Sequence, residues 1–436
     1  MSNQLTLNVL QKAVSGHAAA FRCVTEYQPA GGPGDKVFPP TYEGGKYAVE
    51  RRVVGGNPVR CVLLNSVQAE ANRMELALLD AWEADRISLP VVRVKLAFTV
   101  KGVRKVVAVT SLDASHRIAD AIFRDSRFRD GDRDVAFRKS TKGAMLDLAD
   151  LHHATGLFGL CPTALLFGLW DSAGPRGGLG AKFQRAIVSE IVGWNAQPGV
   201  TTGGKVDHLS ILKDGGPLYE RATKIYDAPD WTLDEQAAAK KDGEPKRVGK
   251  KREGRPSDVN LGGVTPDFAY AKNNRGRILT EEDGSERIKG GFTIDRGVQI
   301  TALSLVALRR LRFPLEGKDQ TGQAAANVAA RTALAALGLC ATALAREEGA
   351  DLRSRCQLYP SGPFCWELLD APGEAPQSYE VSAERAVNLF NDAVAEAVAK
   401  GLPWEKEPID LTPSDDLLQL VRRSHEIAAE GAEEEE

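Results

Sequence analysis

The chain has 436 residues, of which 43% are hydrophobic, enough to bury one large core or two moderate ones. Its formal net charge is −3, but the C-terminal stretch EGAEEEE carries five glutamates, so the remaining residues sum to +2. The six cysteines are scattered without a CxxC pair, which argues against a zinc ribbon or a disulfide framework. No apolar run approaches the roughly 20 residues of a membrane span and the N-terminal residues lack a secretory pattern, so we expect a cytoplasmic protein without membrane contact.

The first predicted elements alternate between strand and helix. The short apolar run PVRCVLL, residues 58–64, predicts a strand. In the next stretch, NSVQAEANRMELALLDAWEA, apolar residues recur every three or four positions, which is typical of an amphipathic helix. Two runs of alternating apolar residues follow in VVRVKLAFTVKGVRKVVAVT, and they predict a β-hairpin that turns near Lys101 and Gly102.

Two further elements complete the pattern. The stretch DASHRIADAIFRDS predicts a short helix capped by Asp113 or Ser115. The stretch PTALLFGLW, residues 162–170, is apolar almost throughout and predicts a fully buried strand. The order β-α-β-β-α-β indicates the ferredoxin-like arrangement that RNA-recognition modules use. Its first strand is either 58–64 or AFRCVTEYQ at 20–28, and the sequence leaves both open.

The predicted fold class is α+β, with four regions along the chain. A ferredoxin-like, or RRM-like, RNA-binding palm with inserted loops occupies 15–194. Residues 195–296 show little periodicity and form a long basic insertion, a candidate thumb or finger. Residues 297–428, which include VQITALSLVALRRLRF, predict a helical layer packed on the palm. Residues 429–436 form an acidic tail.

Positive charge is concentrated in two segments. From Lys101 to Lys142 eleven Lys or Arg face six Asp, and from Lys240 to Arg255 eight bases face three acids, a net of +5 in each case. Such local clusters indicate a polyanionic partner more than the total charge does.

A glycine-rich turn follows the stretch 162–170. The sequence WDSAGPRGGLGAKFQRAIVSE sets four glycines beside Arg176, Lys182 and Arg185. Glycine lets backbone N–H groups approach an anion, and Lys or Arg neutralises it, so the turn is a candidate phosphate site. The residues Gly180-Ala181-Lys182-Phe183 lack the Gly-Lys-Ser/Thr of a P-loop, and no third glycine completes a dinucleotide fingerprint.

Several of these stretches together resemble a known family. The runs LLNSVQAEANRMELALL, SHRIADAIFRDS, FRKS and PTALLFGLWDSAGPRGGLGAKFQRAIVSEIVGW are similar to the backbone subunit of type I-G (formerly I-U) CRISPR interference complexes, a Cascade-like assembly. That subunit belongs to the repeat-associated RNA-binding (RAMP) superfamily. The resemblance spans about residues 15–370, and 162–194 is its most specific part.

The resemblance implies binding rather than catalysis, and no cofactor or metal. Several copies of the chain would line up along one CRISPR RNA and present the guide to the target DNA strand in antiviral defence. The other implied partners are the large subunit and the RNA-processing subunit of the complex. The thumb of such a fold would lie near Lys101 or within 195–296, and the sequence does not choose between them.

An alternative is a metal-dependent ribonuclease of the same superfamily that cuts bound target RNA. Asp113 and Asp171 are its candidate acidic residues. The neighbouring His152 and His153 point in different directions on a helix or a strand, so they do not make a shared metal or acid–base site.

The predicted RNA-binding residues are polar, basic or glycine positions on the quoted runs. They are Ser66, Asn72, Arg73, His116, Arg117, Arg124, Arg138, Lys139, Ser140, Lys142, Arg176, Gly177, Gly178, Gly180, Lys182 and Arg185. A subunit that must accept any guide can grip only the sugar-phosphate backbone and the faces of the bases, and these residue types do so.

Overall fold

The computed structural model describes residues 3–172, 180–212, 214–223, 228–249, 253–268, 277–280 and 287–435, with side chains up to residue 429. The chain divides into two units by its contacts. The first contains residues 1–197 and 292–428, and the second contains 198–291 and 429–436. The fold is mixed α+β with several sheets.

The helices of the described residues are α1 (Leu7–Ser15), α2 (Val67–Glu83), α3 (Ala121–Arg124), α4 (Ala144–Leu148), α5 (Thr155–Leu160), α6 (Pro162–Phe167), α7 (Leu305–Arg309), α8 (Gln320–Glu347), α9 (Ala383–Ala399) and α10 (Asp415–Glu435). The strands up to residue 136 are β1 (Asn3–Gln4), β2 (Ala20–Pro29), β3 (Lys36–Val37), β4 (Thr41–Tyr42), β5 (Lys46–Tyr47), β6 (Val49–Val54), β7 (Asn57–Asn65), β8 (Val92–Val100), β9 (Val103–Thr110), β10 (Ser126–Asp130) and β11 (Arg133–Ala136).

The later strands are β12 (Leu169–Trp170), β13 (Lys182–Phe183), β14 (Ile187–Trp194), β15 (Gln197–Pro198), β16 (Thr202–Lys205), β17 (Tyr219–Glu220), β18 (Trp231–Thr232), β19 (Lys240–Lys241), β20 (Glu244–Pro245), β21 (Val264–Phe268), β22 (Phe292–Thr293), β23 (Arg296–Ser304), β24 (Ala350–Asp351), β25 (Gln357–Pro360), β26 (Cys365–Leu369), β27 (Gln377–Glu380) and β28 (Ile409–Pro413).

The main sheet of the first unit has the strand order β1-β27-β26-β2-β23-β14-β7-β6, with β25 also pairing β2. Strand β23 lies between β2 and β14 and is antiparallel to both. Residues alternate along β2, so Phe21, Cys23, Thr25 and Tyr27 are buried on one face. Helices α2 and α8 pack together, and both contact this buried face.

A buried polar network ties α2 to the sheet. Glu70, which is 2% exposed, accepts from Gln299 Nε2 at 2.6 Å and from Arg73 at 2.6 Å. Asn65 Nδ2 and Ser189 Oγ also donate to Glu70. Because a buried carboxylate is tolerated only when its oxygens are paired, this network fixes α2 on β14 and β23.

Helix α8 forms the centre of the core. It is long and apolar enough to cross a membrane by length and composition, but 89% of its most apolar stretch is buried inside the protein. Small side chains let it approach its neighbours closely. At Gly338 an added Cβ would lie 3.3 Å from side-chain atoms of both Leu166 and Leu303. The burial identifies α8 as a core helix.

A second sheet of the first unit has the order β11-β10-β28-β8-β9. Its β8–β9 hairpin confirms the predicted hairpin and its turn at Lys101 and Gly102. Strand β28, from near the end of the chain, lies between β10 and β8 and runs parallel to β8. The C-terminal residues therefore complete a sheet that residues 92–136 begin.

The predicted assignment of four strands to one sheet is wrong in two places. Strand β7 belongs to the main sheet and the β8–β9 hairpin to the second sheet. The predicted strand at 162–170 is helix α6 followed by the short strand β12. All six residues of α6 are buried, so apolar periodicity does not distinguish helix from strand there, and Pro162 occupies the first helical turn. The two alternatives for the first strand, 20–28 and 58–64, are both strands of the main sheet.

Two predicted helices are shorter than expected. The helix predicted in DASHRIADAIFRDS is a 3-10 turn at Arg117–Ala119 followed by α3, because Arg117 has a φ of 51°. Asp120, not Asp113 or Ser115, caps α3, accepting from Ile122 N at 3.1 Å. The first part of VQITALSLVALRRLRF is strand β23, and only Leu305–Arg309 is helical.

The described residues of the second unit form short paired strands and a 3-10 turn at Pro256–Val259. Strand β16 pairs with β21, β17 with β18 and β19 with β20, all antiparallel. Val206, Leu209 and Leu212 are each 76% exposed.

Candidate nucleic-acid interface

A groove of about 770 Å³ lies on the first unit where α6, β12, β13 and α7 meet. The N-terminal turn of α2 supplies Gln68, and the segment before α3 supplies His116 and Arg117. The basic side chains that line the groove are His116, Arg117, Lys182, Arg185 and Arg310. Among the described residues that line it there is no Asp or Glu.

The β12–β13 hairpin forms one wall of the groove. Leu169 lies opposite Phe183, and Trp170 lies opposite Lys182. Successive side chains alternate across a strand, so Leu169 and Phe183 are buried while Trp170 and Lys182 face outward. The Lys182 ammonium lies 5.5 Å from the centre of the Trp170 ring.

Two glycines are required next to the strands of this hairpin: Gly168 just before β12, and Gly180 shortly before β13. Gly168 ends α6 with a φ of 90°, a conformation that side-chain-bearing residues rarely adopt. At Gly180 an added Cβ would lie 2.1 Å from the carbonyl oxygen of Asp171. This close approach explains why a glycine is needed at Gly180, whose role in RNA binding stays a prediction.

Arg117 lies at the floor of the groove and is held by a buried carboxylate. Its Nε and Nη2 donate to the two carboxylate oxygens of Glu75 at 2.6 Å each, and its Nη1 donates to Gly168 O at 3.1 Å. Burial raises the pKa of Glu75 to about 7, and Arg117 opposes that rise. Within the described residues, the groove cations Lys182, Arg185 and Arg310 form no ion pair with a carboxylate, although the charge of Arg185 also lowers the pKa of Glu75.

Arg138 and Asp171 form an ion pair at the base of the hairpin. Arg138 Nη2 donates to Asp171 Oδ2 at 2.7 Å and also pairs with Asp147. Asp171 is 2% exposed, and its backbone N donates to Ala181 O at 2.9 Å. This candidate acidic residue of the ribonuclease alternative therefore holds the two ends of the glycine-rich turn.

The other acidic and histidine candidates also have local partners. Asp113 accepts from the Thr110 hydroxyl at 2.8 Å, and Asp150 bonds the backbone of His152 and His153. Within the part of the chain that the structure describes, no group of three or more His, Cys, Asp or Glu side chains is arranged to hold a metal.

The structure brings some predicted residues together and separates others. His116, Arg117, Lys182 and Arg185 share the groove. Three others serve local structure: Ser66 caps α2, Ser140 is buried and accepts from Gly143 N, and Arg73 donates to Glu70 and to the carbonyls of Ala345 and Gly349.

Four further predicted residues that the structure describes lie outside the groove. Arg124 pairs with Asp125, and Lys142 pairs with Glu405. Asn72 and Lys139 are exposed. Arg176, Gly177 and Gly178 lie outside the described residues.

Sequence reasoning missed most residues of the groove, among them Trp170, Arg310 and Gln68. Trp170 is 60% exposed, although the run PTALLFGLW predicted burial throughout. Its signal was available in the alternation of Leu169 and Trp170 before a turn. Arg310 lies in a stretch predicted as continuous helix, and no feature of its sequence marks it as a groove residue. Gln68 is one of several polar residues on α2, and nothing in the sequence singles it out from them.

The groove is a basic, partly aromatic surface of the kind that binds a polyanion. Residues 21–198 match the model of the family described as CRISPR-associated protein GSU0053 (Cas_GSU0053), which covers about two fifths of the chain. The match includes Trp170, Lys182 and Arg185 and ends before Arg310. No curated protein matches the chain. The match supports a CRISPR-associated protein that works within the machinery of CRISPR-based defence.

Proposed function

We propose that the chain is a non-catalytic, cytoplasmic backbone subunit of a type I-G CRISPR interference complex. It binds CRISPR RNA, adds further copies of itself along that RNA and presents the guide to the target DNA strand, beside the large and RNA-processing subunits. The observation that carries the proposal is the groove, where Lys182, Arg185 and Arg310 lie beside an exposed tryptophan with no carboxylate among the described lining residues.

The topology supports a ferredoxin-like palm that uses the alternative first strand at 20–28, now β2, with three strands outside the sequence-based pattern. The strands β2, β14, β23 and β26 occur in this order along the chain. Within the sheet they lie in the order β26-β2-β23-β14. Helix α2 falls between the first two, and α8 falls between the last two. This order matches the split β-α-β-β-α-β pattern, with residues 30–66, 84–186 and 195–295 as insertions.

The open face of this sheet is less suited to RNA than the groove. Its outward residues Val24, Val188 and Ile300 are between 40% and 52% exposed and are aliphatic. The charged residues around them are matched in ion pairs: Arg22 with Glu367, Arg52 with Glu190, and Arg296 with Glu26. Trp194 also lies on this face, with Arg296 over its ring. Because the cations of this face are paired with carboxylates, it offers fewer phosphate contacts than the groove.

The ribonuclease alternative is not favoured by the geometry of its candidate residue. The Asp171 carboxylate is buried against Arg138, so it faces the protein rather than a groove where RNA would lie. The proposed mechanism is therefore retention of the RNA by contacts to its phosphates, with sequence recognition left to base pairing of the guide.

The test uses the full chain purified from cells that express a CRISPR array. We expect array-derived RNA to copurify. The variant Lys182→Glu/Arg185→Glu should bind two unrelated single-stranded RNAs at least about tenfold more weakly, by the same factor for both, because phosphate contacts carry no sequence preference. The slope of log affinity against log salt should also fall, by about 0.7 for each lost phosphate contact.

The matched control is Arg422→Glu/Arg423→Glu, which makes the same charge change on α10, outside the residues that line the groove. It should leave both affinities within about twofold, since it removes no proposed phosphate contact. A chain without copurifying RNA, whose affinity the groove variant does not change, contradicts the proposal.

A further inference from the structure

Trp170 is an exposed aromatic side chain on a well-anchored hairpin. Its side chain is 60% exposed, whereas Trp366 is fully buried. Leaving a tryptophan in water forgoes a large hydrophobic gain, so an exposed ring in a fixed position needs an explanation.

The buried face of the β12–β13 hairpin holds the Trp170 ring in position. Leu169 and Phe183, which flank Trp170 and Lys182 along their strands, are 6% and 4% exposed and anchor the opposite face. The Asp171–Ala181 backbone bond at 2.9 Å and the ion pair of Asp171 with Arg138 close the base. The exposure of Trp170 is therefore a result of strand alternation on a packed hairpin, not of a loose chain end.

The charged side chains around the Trp170 ring are cations, which can bind the phosphates of a nucleic acid. Lys182 lies 5.5 Å from the ring centre, and Arg185 and Arg310 line the same groove. A base can stack on an indole ring, and its phosphates can then reach neighbouring cations.

We propose that Trp170 is a stacking platform for one base of single-stranded RNA held in the groove, and that Lys182, whose ammonium lies over the ring in the free protein, turns to contact the adjoining phosphate. This inference rests on the proposed RNA binding. It adds that the groove grips the face of a base as well as the phosphates.

The test compares two probes on the full chain. One is a labelled oligouridine of about twelve nucleotides, within the site sizes known for single-strand binders. The other is a strand of the same length and backbone without bases. Trp170→Leu should weaken binding of oligouridine by about tenfold and leave binding of the abasic strand unchanged, because only the first strand has rings to stack. Trp170→Phe should retain part of the affinity.

Trp194→Leu is the matched control. Trp194 also carries a cation over its ring, with the Arg296 guanidinium carbon 5.3 Å from the centre, but it lies outside the groove lining. This variant should bind both strands as the wild type does. A second readout needs no variant: 2-aminopurine within the oligouridine should lose fluorescence on binding the wild-type chain, since a stacked 2-aminopurine is quenched.

The outcomes separate the two proposals. If the wild type binds both strands but Trp170→Leu weakens both equally or neither, and 2-aminopurine is not quenched, stacking is overturned while phosphate binding stands. If the wild type binds neither strand, the proposed RNA binding fails, and this inference fails with it.

Discussion

At the scale of single residues, the groove depends on side chains that are held in place by buried partners. Arg117 is held by Glu75 and by the carbonyl of Gly168, so it shapes the floor where Lys182 and Arg185 are displayed. Several residues chosen from the sequence for their charge prove to have such local partners. Charge alone predicts that a side chain will be basic, but its partner is set by the tertiary structure.

The titration of Glu75 gives a prediction about stability. Burial raises its pKa from 4.5 to about 7, so the folded chain holds this proton more tightly than the unfolded chain. The resulting stabilisation is fully present below pH 4.5 and is lost as the pH rises through 7. We expect the stability of the wild type relative to Glu75→Gln to fall between pH 5 and pH 8 by no more than about 3 kcal/mol, at about 1.4 kcal/mol per pKa unit.

Urea unfolding of both proteins across this pH range measures the difference. Other titrating groups are common to the two chains, so their contributions cancel. Parallel pH profiles for the wild type and Glu75→Gln contradict the prediction.

At the scale of elements, the sequence predicted those whose residues face two different environments. Helix α2 and strand β8 each have one buried and one more exposed side, and their periodicity revealed them. Helix α6 is buried all round, so its apolar run was assigned to a strand. Strand β23 was assigned to a helix because its neighbour α7 continues the apolar spacing.

The network around Glu70 gives a prediction at this scale. Glu70→Ala should lower the free energy of unfolding by about 3 kcal/mol or more, because Arg73, Gln299, Asn65 and Ser189 lose a buried acceptor. Urea denaturation measures it. The control Glu367→Ala breaks the exposed pair with Arg22 and should cost less than about 1 kcal/mol. Equal losses for the two variants would show that the Glu70 network contributes little.

At the scale of the whole molecule, the sequence indicated an α+β protein, and its resemblance indicated a CRISPR-associated one, which the family match supports. The sequence did not predict which strands pair when they lie far apart in the chain. Strand β23 joins β2 and β14 from beyond the second unit, and β28 joins β8 from more than 300 residues away. Local spacing carries no information on such partners.

The matched residues 21–198 are therefore predicted not to fold by themselves. They contain β2 and β14 but lack β23, which pairs with both, and they contain β8 and β10 but lack β28 between them. We expect a fragment of these residues to be insoluble or to melt without a cooperative transition, while the full chain unfolds cooperatively. Circular dichroism on heating distinguishes the two. A soluble fragment with a sharp transition would contradict the prediction.

The central place of β28 also sets the order of events during synthesis. About 300 residues separate the β8–β9 hairpin from β28, which at a ribosomal rate of about 5–20 residues per second is roughly 15–60 seconds. During that interval the inner edges of β8 and β10 have no partner strand and are open to pairing with other chains. The yield of soluble protein should therefore depend on translation speed and on chaperones that shield these edges until the end of the chain emerges.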